Sequence, residues 1–166
     1  IFTSDLQRAL KTAEAIREAQ SPAPLEITKS ALIREQDFGF YEGKHFFERP
    51  REGNKTGKDE AHRDNTGFKD VESKELMRDR AKLFINQHIL PLMHELEDHY
   101  AVAIISHGII LGHIWRAILA LFHPSKVSIS NDVQAGHDGL GMEYLGGWSN
   151  TGYMELEISS KAKLFK

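Results

Sequence analysis

Residues 106–108 read Ser-His-Gly and lie where an apolar run, residues 101–105, gives way to an amphipathic run that begins at Ile109. This order predicts a buried strand, a tight turn that carries His107, and a helix. An imidazole and backbone N–H groups at the carboxyl end of a strand can bind an anion, and Gly108 allows that anion close to the main chain. A histidine in such a turn can equally be an ordinary loop residue, so the interpretation depends on other side chains.

Arg8 and Glu35 are the other side chains that could take part in such chemistry. Arg8 falls in the first turn of a predicted helix, where a cation opposes the helix dipole at about 0.3–1 kcal/mol unless an anion binds there. The alternative is an exposed arginine paired with Asp5 or Glu14. Glu35 lies among aromatic and acidic residues that favour a protonated carboxyl group able to protonate a leaving oxygen. It can equally be a surface charge.

Periodicity predicts the elements that must position these side chains. Ser4 and Asp5 are predicted N-cap residues of a first helix that ends at residues 21–24. The further predictions are a short strand at 25–27, a loop at 32–43, a helix at 71–98 with a kink or break at Pro91, a strand at 101–105, a helix at 109–122 and a strand at 153–158. This order indicates one α/β domain over residues 1–166, a three-layer α/β/α sandwich whose mostly parallel sheet carries helices on both faces.

Residues 44–70 are rich in turn formers and in charges of both signs. They are predicted to form a surface insertion, which is either a solvated flexible loop or a lid over a site.

Composition limits the classes of partner. The 166 residues carry a net charge of −3, so the chain offers no general basic field for nucleic acid or an anionic membrane. The absence of cysteine excludes disulfides, thiolate zinc sites and a thiol nucleophile, and it fits a cytoplasmic location. No apolar stretch approaches the length of a membrane span, and no signal peptide is recognisable.

Other catalytic motifs are absent from the sequence. His94 and His99 resemble a zinc protease pair, but their spacing of five residues places them on different faces of a helix. There is no Gly-x-Ser-x-Gly elbow, no Gly-x-Gly-x-x-Gly fingerprint and no phosphate-binding Gly-Lys-Ser/Thr loop.

Four segments in order resemble one family. Residues 3–13 are similar to the Ser-x-Leu-x-Arg-Ala-x-x-Thr-Ala helix start of the histidine phosphatase superfamily, the phosphoglycerate mutase-like enzymes. Residues 32–44, ending Phe-Gly-Phe-Tyr-Glu-Gly-Lys, resemble its Glu-x-x-Phe-Gly-x-x-Glu-Gly segment. Glu72 and Ser73 followed by Arg80 resemble its Glu-Ser helix, and residues 106–108 match its second catalytic histidine. Residues 148–151 are similar to a polar segment before the last strand of the family.

This resemblance implies an α/β phosphatase that uses neither metal nor cofactor. It assigns Arg8 and His107 as phosphate ligands, Glu35 as the proton donor and acceptor, and the Gly108 N–H as a further phosphate contact. The implied partner is a small phosphorylated substrate, with no nucleic acid and no membrane, and the oligomeric state is left open.

The sequence departs from the family in one respect. The nucleophile of the family is the histidine of an Arg-His-Gly motif on a first strand, and these 166 residues contain no such motif. Because Ile1 begins in the middle of a predicted strand, we expect the motif upstream of residue 1 in the intact protein.

Three functions remain open. A phosphomonoester phosphatase is favoured over a phosphoglycerate mutase-type phosphotransferase, because the basic residues of 44–70 are nearly balanced by acidic ones. The third is a non-catalytic phosphate-binding or regulatory protein, which would apply if the first histidine is truly missing.

Overall fold

The computed structural model describes residues 1–20, 25–44, 67–95, 100–131, 141–142 and 148–158. The chain divides into two compact units, one formed by Ile1–Glu35 with Arg78–Lys166 and the other by Gln36–Met77. Most of the predicted insertion at 44–70 lies outside the described residues, as does the predicted helix end at 21–24.

Among the described residues, three short parallel strands form an open sheet in the first unit, in the order β2-β1-β3. They are β1 (Phe2–Ser4), β2 (Thr28–Ser30) and β3 (Ile104–Ile105). Parallel neighbours require crossover connections, and the helix between β1 and β2 supplies one of them. The prediction of an α/β fold with a parallel sheet is therefore confirmed.

The register with β1 limits how far each neighbouring strand extends. Phe2 pairs with Thr28 on one side and with Ile104 on the other. The strand predicted at 101–105 consequently contains only its last two residues. The short strand predicted at 25–27 lies three residues later, because pairing with β1 rather than local alternation decides where it forms.

The first helix, α1, spans Gln7–Glu18, so it begins after Leu6 rather than directly after the predicted N-cap residues Ser4 and Asp5. Leu6 is its N-cap residue in an extended conformation, with no side-chain capping bond. The hydroxyl of Ser4 instead accepts a hydrogen bond from the N–H of Leu6 over 3.3 Å. Ala9 and Ala13, one turn apart, are buried against the interior.

A second helical stretch consists of α2 (Lys74–Phe84), a π-helical turn (Ile85–Ile89) and α3 (Leu90–Glu95). It corresponds to the helix predicted at 71–98, and it continues through Pro91 rather than ending there. A proline ring clashes with the carbonyl group of the preceding turn, and a π-turn at that point widens the hydrogen-bond ladder. Residues 96–99 lie outside the described part.

The helix α4 spans Gly108–Leu119 and agrees with the helix predicted from residue 109. Its buried residues, Ile110 and Ile114, are one turn apart and contribute to the core. The edge-to-face contact between Phe2 and Phe84, with ring centroids 5.6 Å apart, joins β1 to α2. The other buried apolar residues of this unit are Ala9, Ala13, Ile33, Ala81, Ile85, Ile89 and Phe122.

The second unit is held by main-chain hydrogen bonds between residues 36–40 and 69–72. Phe40 donates to the carbonyl of Lys69 over 2.8 Å, and Glu72 donates to the carbonyl of Asp37 over 2.7 Å. Gly39 lies between these bonds with a φ of +54°, a conformation that favours glycine. The Nζ of Lys44 lies 3.0 Å from the centroid of the Phe40 ring in a cation–π contact.

The strand predicted at 153–158 is wrong, because the structure has no strand in that segment. Tyr153 is 86% exposed, and only Met154 and Leu156 are partly buried. Alternating polarity describes two faces of an extended chain, but a strand also needs a hydrogen-bonded neighbour. Within the described part of the chain, no helix has the length and apolar character to cross a membrane.

Candidate active site

The parallel sheet brings the ends of β1 and β3 to the same edge, with Thr3 paired to Ile105. His107 follows two residues later as the N-cap residue of α4, with an extended backbone at φ −130° and ψ 159°. Its side chain makes no capping hydrogen bond to the helix, and only 7% of the residue is exposed. The imidazole is therefore held at the sheet edge by other partners, in the strand-to-helix turn predicted from the sequence.

Two side chains from the first segment of the chain hold the His107 ring. Arg8 donates from Nε to the Nδ1 of His107 over 3.0 Å. The Nε2 of His107 lies 2.9 Å from the Oγ of Ser4, which is fully buried at the end of β1. Because the guanidinium group is a donor only, Nδ1 must accept, and the ring is neutral with its hydrogen on Nε2.

The surroundings of His107 favour this neutral form. Burial lowers the pKa of His107 below its ordinary value of 6.5, and the positive charges of Arg8 and Arg80 lower it further. The carboxylate of Glu35 acts in the opposite direction. Additional negative charge beside the ring would favour its protonated form.

Arg8 is exposed at the start of α1, and its side chain has no other hydrogen-bond or ion-pair partner among the residues that the structure describes. The alternative of a simple pair with Asp5 is not what the structure shows. Asp5 accepts two hydrogen bonds from Arg34, at 2.6 Å and 2.5 Å. The contact with His107 uses the Nε of Arg8, so the two terminal nitrogens of the guanidinium group take no part in it.

Glu35 reaches the same helix start by a different route. Its Oε1 accepts from the backbone N–H of Ile110, in the first turn of α4, over 3.4 Å. This N–H has no acceptor within the helix. Glu35 therefore lies beside the turn that carries His107.

The main chain of residues 32–35 is fixed by two side chains from elsewhere in the first unit. Arg80 donates from Nη1 to the carbonyls of Leu32 and Arg34, at 2.7 Å and 2.8 Å, and from Nη2 to that of Glu35 at 3.2 Å. Ser106 donates from Oγ to the carbonyl of Ile33 over 2.6 Å. Four successive carbonyl groups thus have side-chain donors.

Gly108 is the first residue of α4, a position whose N–H has no acceptor within the helix. A Cβ added there would lie 3.6 Å from the Cβ of Trp148, which is an ordinary contact distance. The polar segment at 148–151 is therefore adjacent to the helix start at Trp148.

Sequence reasoning placed Arg8, Glu35, His107 and Gly108 in one site, and the structure brings them together around the start of α4. It missed the contact of Ser4 with His107, since Ser4 was assigned as a helix cap. It also missed the contacts of Arg80 and Ser106 with the Glu35 loop. Ser4 could have been found from the rule that parallel strands end at one edge.

No group of three or more His, Cys, Asp or Glu side chains suited to a metal ion occurs among the described residues. The side chains of His94 and His99 lie outside that set.

The family model described as histidine phosphatase superfamily (branch 1) matches residues 1–131. The matched range contains Arg8, Glu35, His107 and Gly108, whereas Trp148 lies outside it. Neither the comparison with curated proteins nor the comparison with solved structures returned a match.

Proposed function

Because the chain belongs to the histidine phosphatase superfamily, whose members are generally hydrolases or mutases, we propose that it hydrolyses a phosphomonoester of a small metabolite through a phosphohistidine intermediate. The observation that supports this most directly is the hydrogen bond between Arg8 and His107 at the start of α4. Two groups able to carry positive charge face each other there, beside the N-terminus of α4 and the carboxyl group of Glu35.

The first step forms a bond between phosphorus and a histidine nitrogen and breaks the bond to the leaving oxygen. The protonated carboxyl group of Glu35 gives its proton to that oxygen and becomes a carboxylate. The attacking imidazole belongs to the Arg-His-Gly motif that we propose for the intact protein, upstream of Ile1. In the second step water attacks phosphorus, Glu35 takes the water proton, and the electron pair of the P–N bond returns to the imidazole.

Arg8 and His107 stabilise the negative charge of the transferring group. In the structure they are bonded to each other through Nε and Nδ1. A phosphate dianion favours protonation of His107, and a protonated Nδ1 can no longer accept from Arg8. Both side chains then donate to phosphoryl oxygens, and the Gly108 N–H adds a main-chain donor.

The sequence upstream of Ile1 in the intact protein is the first test. An apolar strand that ends in Arg-His-Gly supports the proposal, and its absence favours a phosphate-binding protein without catalysis.

The second test measures turnover and trapping in the full-length protein. We expect release of inorganic phosphate from p-nitrophenyl phosphate in the presence of EDTA, and a radiolabelled phosphoprotein that is labile in acid and stable in alkali. Arg8→Ala and His107→Ala should each lose at least about a hundredfold in kcat/KM, while the exposed Lys11→Ala on the same helix should not. Transfer of the label to a second metabolite rather than to water would identify a mutase.

A further inference from the structure

The loop that carries Glu35 is fixed by the guanidinium group of Arg80. Three hydrogen bonds, at 2.7 Å, 2.8 Å and 3.2 Å, join Arg80 to the carbonyls of Leu32, Arg34 and Glu35. The third acceptor is the carbonyl of Glu35 itself. A displacement of this guanidinium group would therefore be transmitted directly to the residue that bears the carboxyl group.

Lysine could not reproduce these three hydrogen bonds in the same geometry. The guanidinium group is planar and holds five donors in a fixed fork, whereas the ammonium group of lysine is a single point of charge. Arg80 lies on α2, and this helix fixes the main chain from which its side chain extends. Ser106, directly before His107, holds the intervening carbonyl of Ile33 at 2.6 Å.

We propose that Arg80 is a positioning residue for proton transfer by Glu35. By holding the main chain of residues 32–35, it places the Glu35 carboxyl group at the start of α4, where its proton can reach the leaving oxygen. This inference rests on the proposed phosphatase function, and it concerns the protonation of the leaving group rather than phosphate binding.

The dependence of the rate on the leaving group separates this role from a general structural one. An alkyl phosphate expels a strongly basic oxygen that needs the proton of Glu35, whereas p-nitrophenolate departs without it. General acid catalysis contributes about 10²–10⁴-fold, and a misplacement of about 1 Å can remove about 10²-fold. Loss of Arg80 should therefore slow phosphoryl transfer from the alkyl substrate far more than from the aryl one.

The experiment compares glycerol phosphate with p-nitrophenyl phosphate in the full-length protein. We expect Arg80→Ala to lower kcat/KM, which covers formation of the phosphohistidine but not its hydrolysis, by about a hundredfold for glycerol phosphate and by less than about tenfold for p-nitrophenyl phosphate. Arg80→Lys keeps the charge without the fork and should show the same selectivity. Arg78→Ala is the matched control, because Arg78 is exposed on the same helix and its Nε lies 4.0 Å from the Oδ1 of its neighbour Asp79.

Each outcome has a distinct meaning. An equal loss on both substrates, or no loss on either, overturns the positioning role while leaving the phosphatase proposal intact. If Arg80→Ala does not fold, the Arg80→Lys comparison decides in the same way. If the unaltered protein hydrolyses neither substrate and forms no phosphoprotein, the proposed function fails and the role of Arg80 fails with it.

Discussion

The Nε of Arg8 donates a hydrogen bond to the Nδ1 of His107 over 3.0 Å, and this contact requires a neutral imidazole. Two groups that we propose to bind one anion are therefore bonded to each other in the structure. The arrangement avoids placing two positive charges side by side in a partly buried position, where their repulsion would be strong.

The titration of His107 tests this relationship. Burial and the charge of Arg8 both lower its pKa, so we expect its NMR signal to titrate below the ordinary value of 6.5. Arg8→Gln should raise this pKa, since it removes a neighbouring cation, and inorganic phosphate should raise it in the unaltered protein. Lys11→Gln on the same helix is the control. A decrease in the pKa with phosphate would contradict the site.

The same shift gives a pH dependence of stability. The unfolded chain binds a proton at His107 near pH 6.5, whereas the folded protein does so only at lower pH. The free energy of unfolding should therefore decrease as pH falls below about 6.5, until the folded histidine is protonated as well. His107→Gln should lack this component in urea unfolding measured across the range. An unchanged pH profile in that variant would show that another group is responsible.

The paired hydrogen bonds between Arg34 and Asp5 predict a second pH effect. The guanidinium group of Arg34 holds the pKa of Asp5 below 3.8, so this contribution to stability is present above that pH and is lost as acid protonates Asp5. Asp5→Asn should unfold at lower urea concentration at pH 7, and the difference should disappear in strong acid and shrink in 1 M NaCl. Asp79→Asn should change little, because its contact with Arg78 is longer and both are exposed.

Local sequence was sufficient for the element that carries His107. The change from apolar to amphipathic periodicity at residues 101–122 is a short-range signal, and the strand, turn and helix lie there. The Arg8 helix was predictable for the same reason. Its N-cap residue is Leu6 rather than Ser4 or Asp5, because Ser4 contacts the His107 ring and Asp5 is paired with Arg34.

The supports of the site could not be read from local pattern. Arg80 contacts carbonyls 45 to 48 residues away, and Ser106 contacts one 73 residues away. Every residue has a main-chain carbonyl acceptor, so residue types and their spacing do not identify which carbonyls these side chains contact. The incorrect strand at 153–158 has the opposite cause, since its pattern was clear but no strand among the described residues pairs with it.

Gly39 should be far less replaceable than Gly43, although both have a positive φ. A Cβ at Gly39 would lie 2.2 Å from the carbonyl oxygen of Lys69, whereas a Cβ at Gly43 would meet nothing within 4 Å. We expect Gly43→Ala to destabilise by about 1–2 kcal/mol and Gly39→Ala by about 3 kcal/mol or more. Urea unfolding measures both. Equal losses would show that the carbonyl of Lys69 can move aside.

The N–H of Gly108 can be tested without disturbing its helix. Proline is well accepted at the first position of a helix, and the extended conformation of His107 suits a residue that precedes proline. Gly108→Pro therefore removes one donor, and Gly108→Ala is the control, since its Cβ would meet Trp148 at an ordinary 3.6 Å.

A hydrogen bond to a charged group contributes about 1.5–3 kcal/mol, so Gly108→Pro should bind inorganic phosphate at least about tenfold more weakly than Gly108→Ala. Calorimetric titration of both variants with phosphate measures this difference, and circular dichroism verifies that α4 is retained. If the two variants bind phosphate equally, the Gly108 N–H is not a ligand. The anion would then be held by side chains, and the glycine would serve only to admit it to the turn.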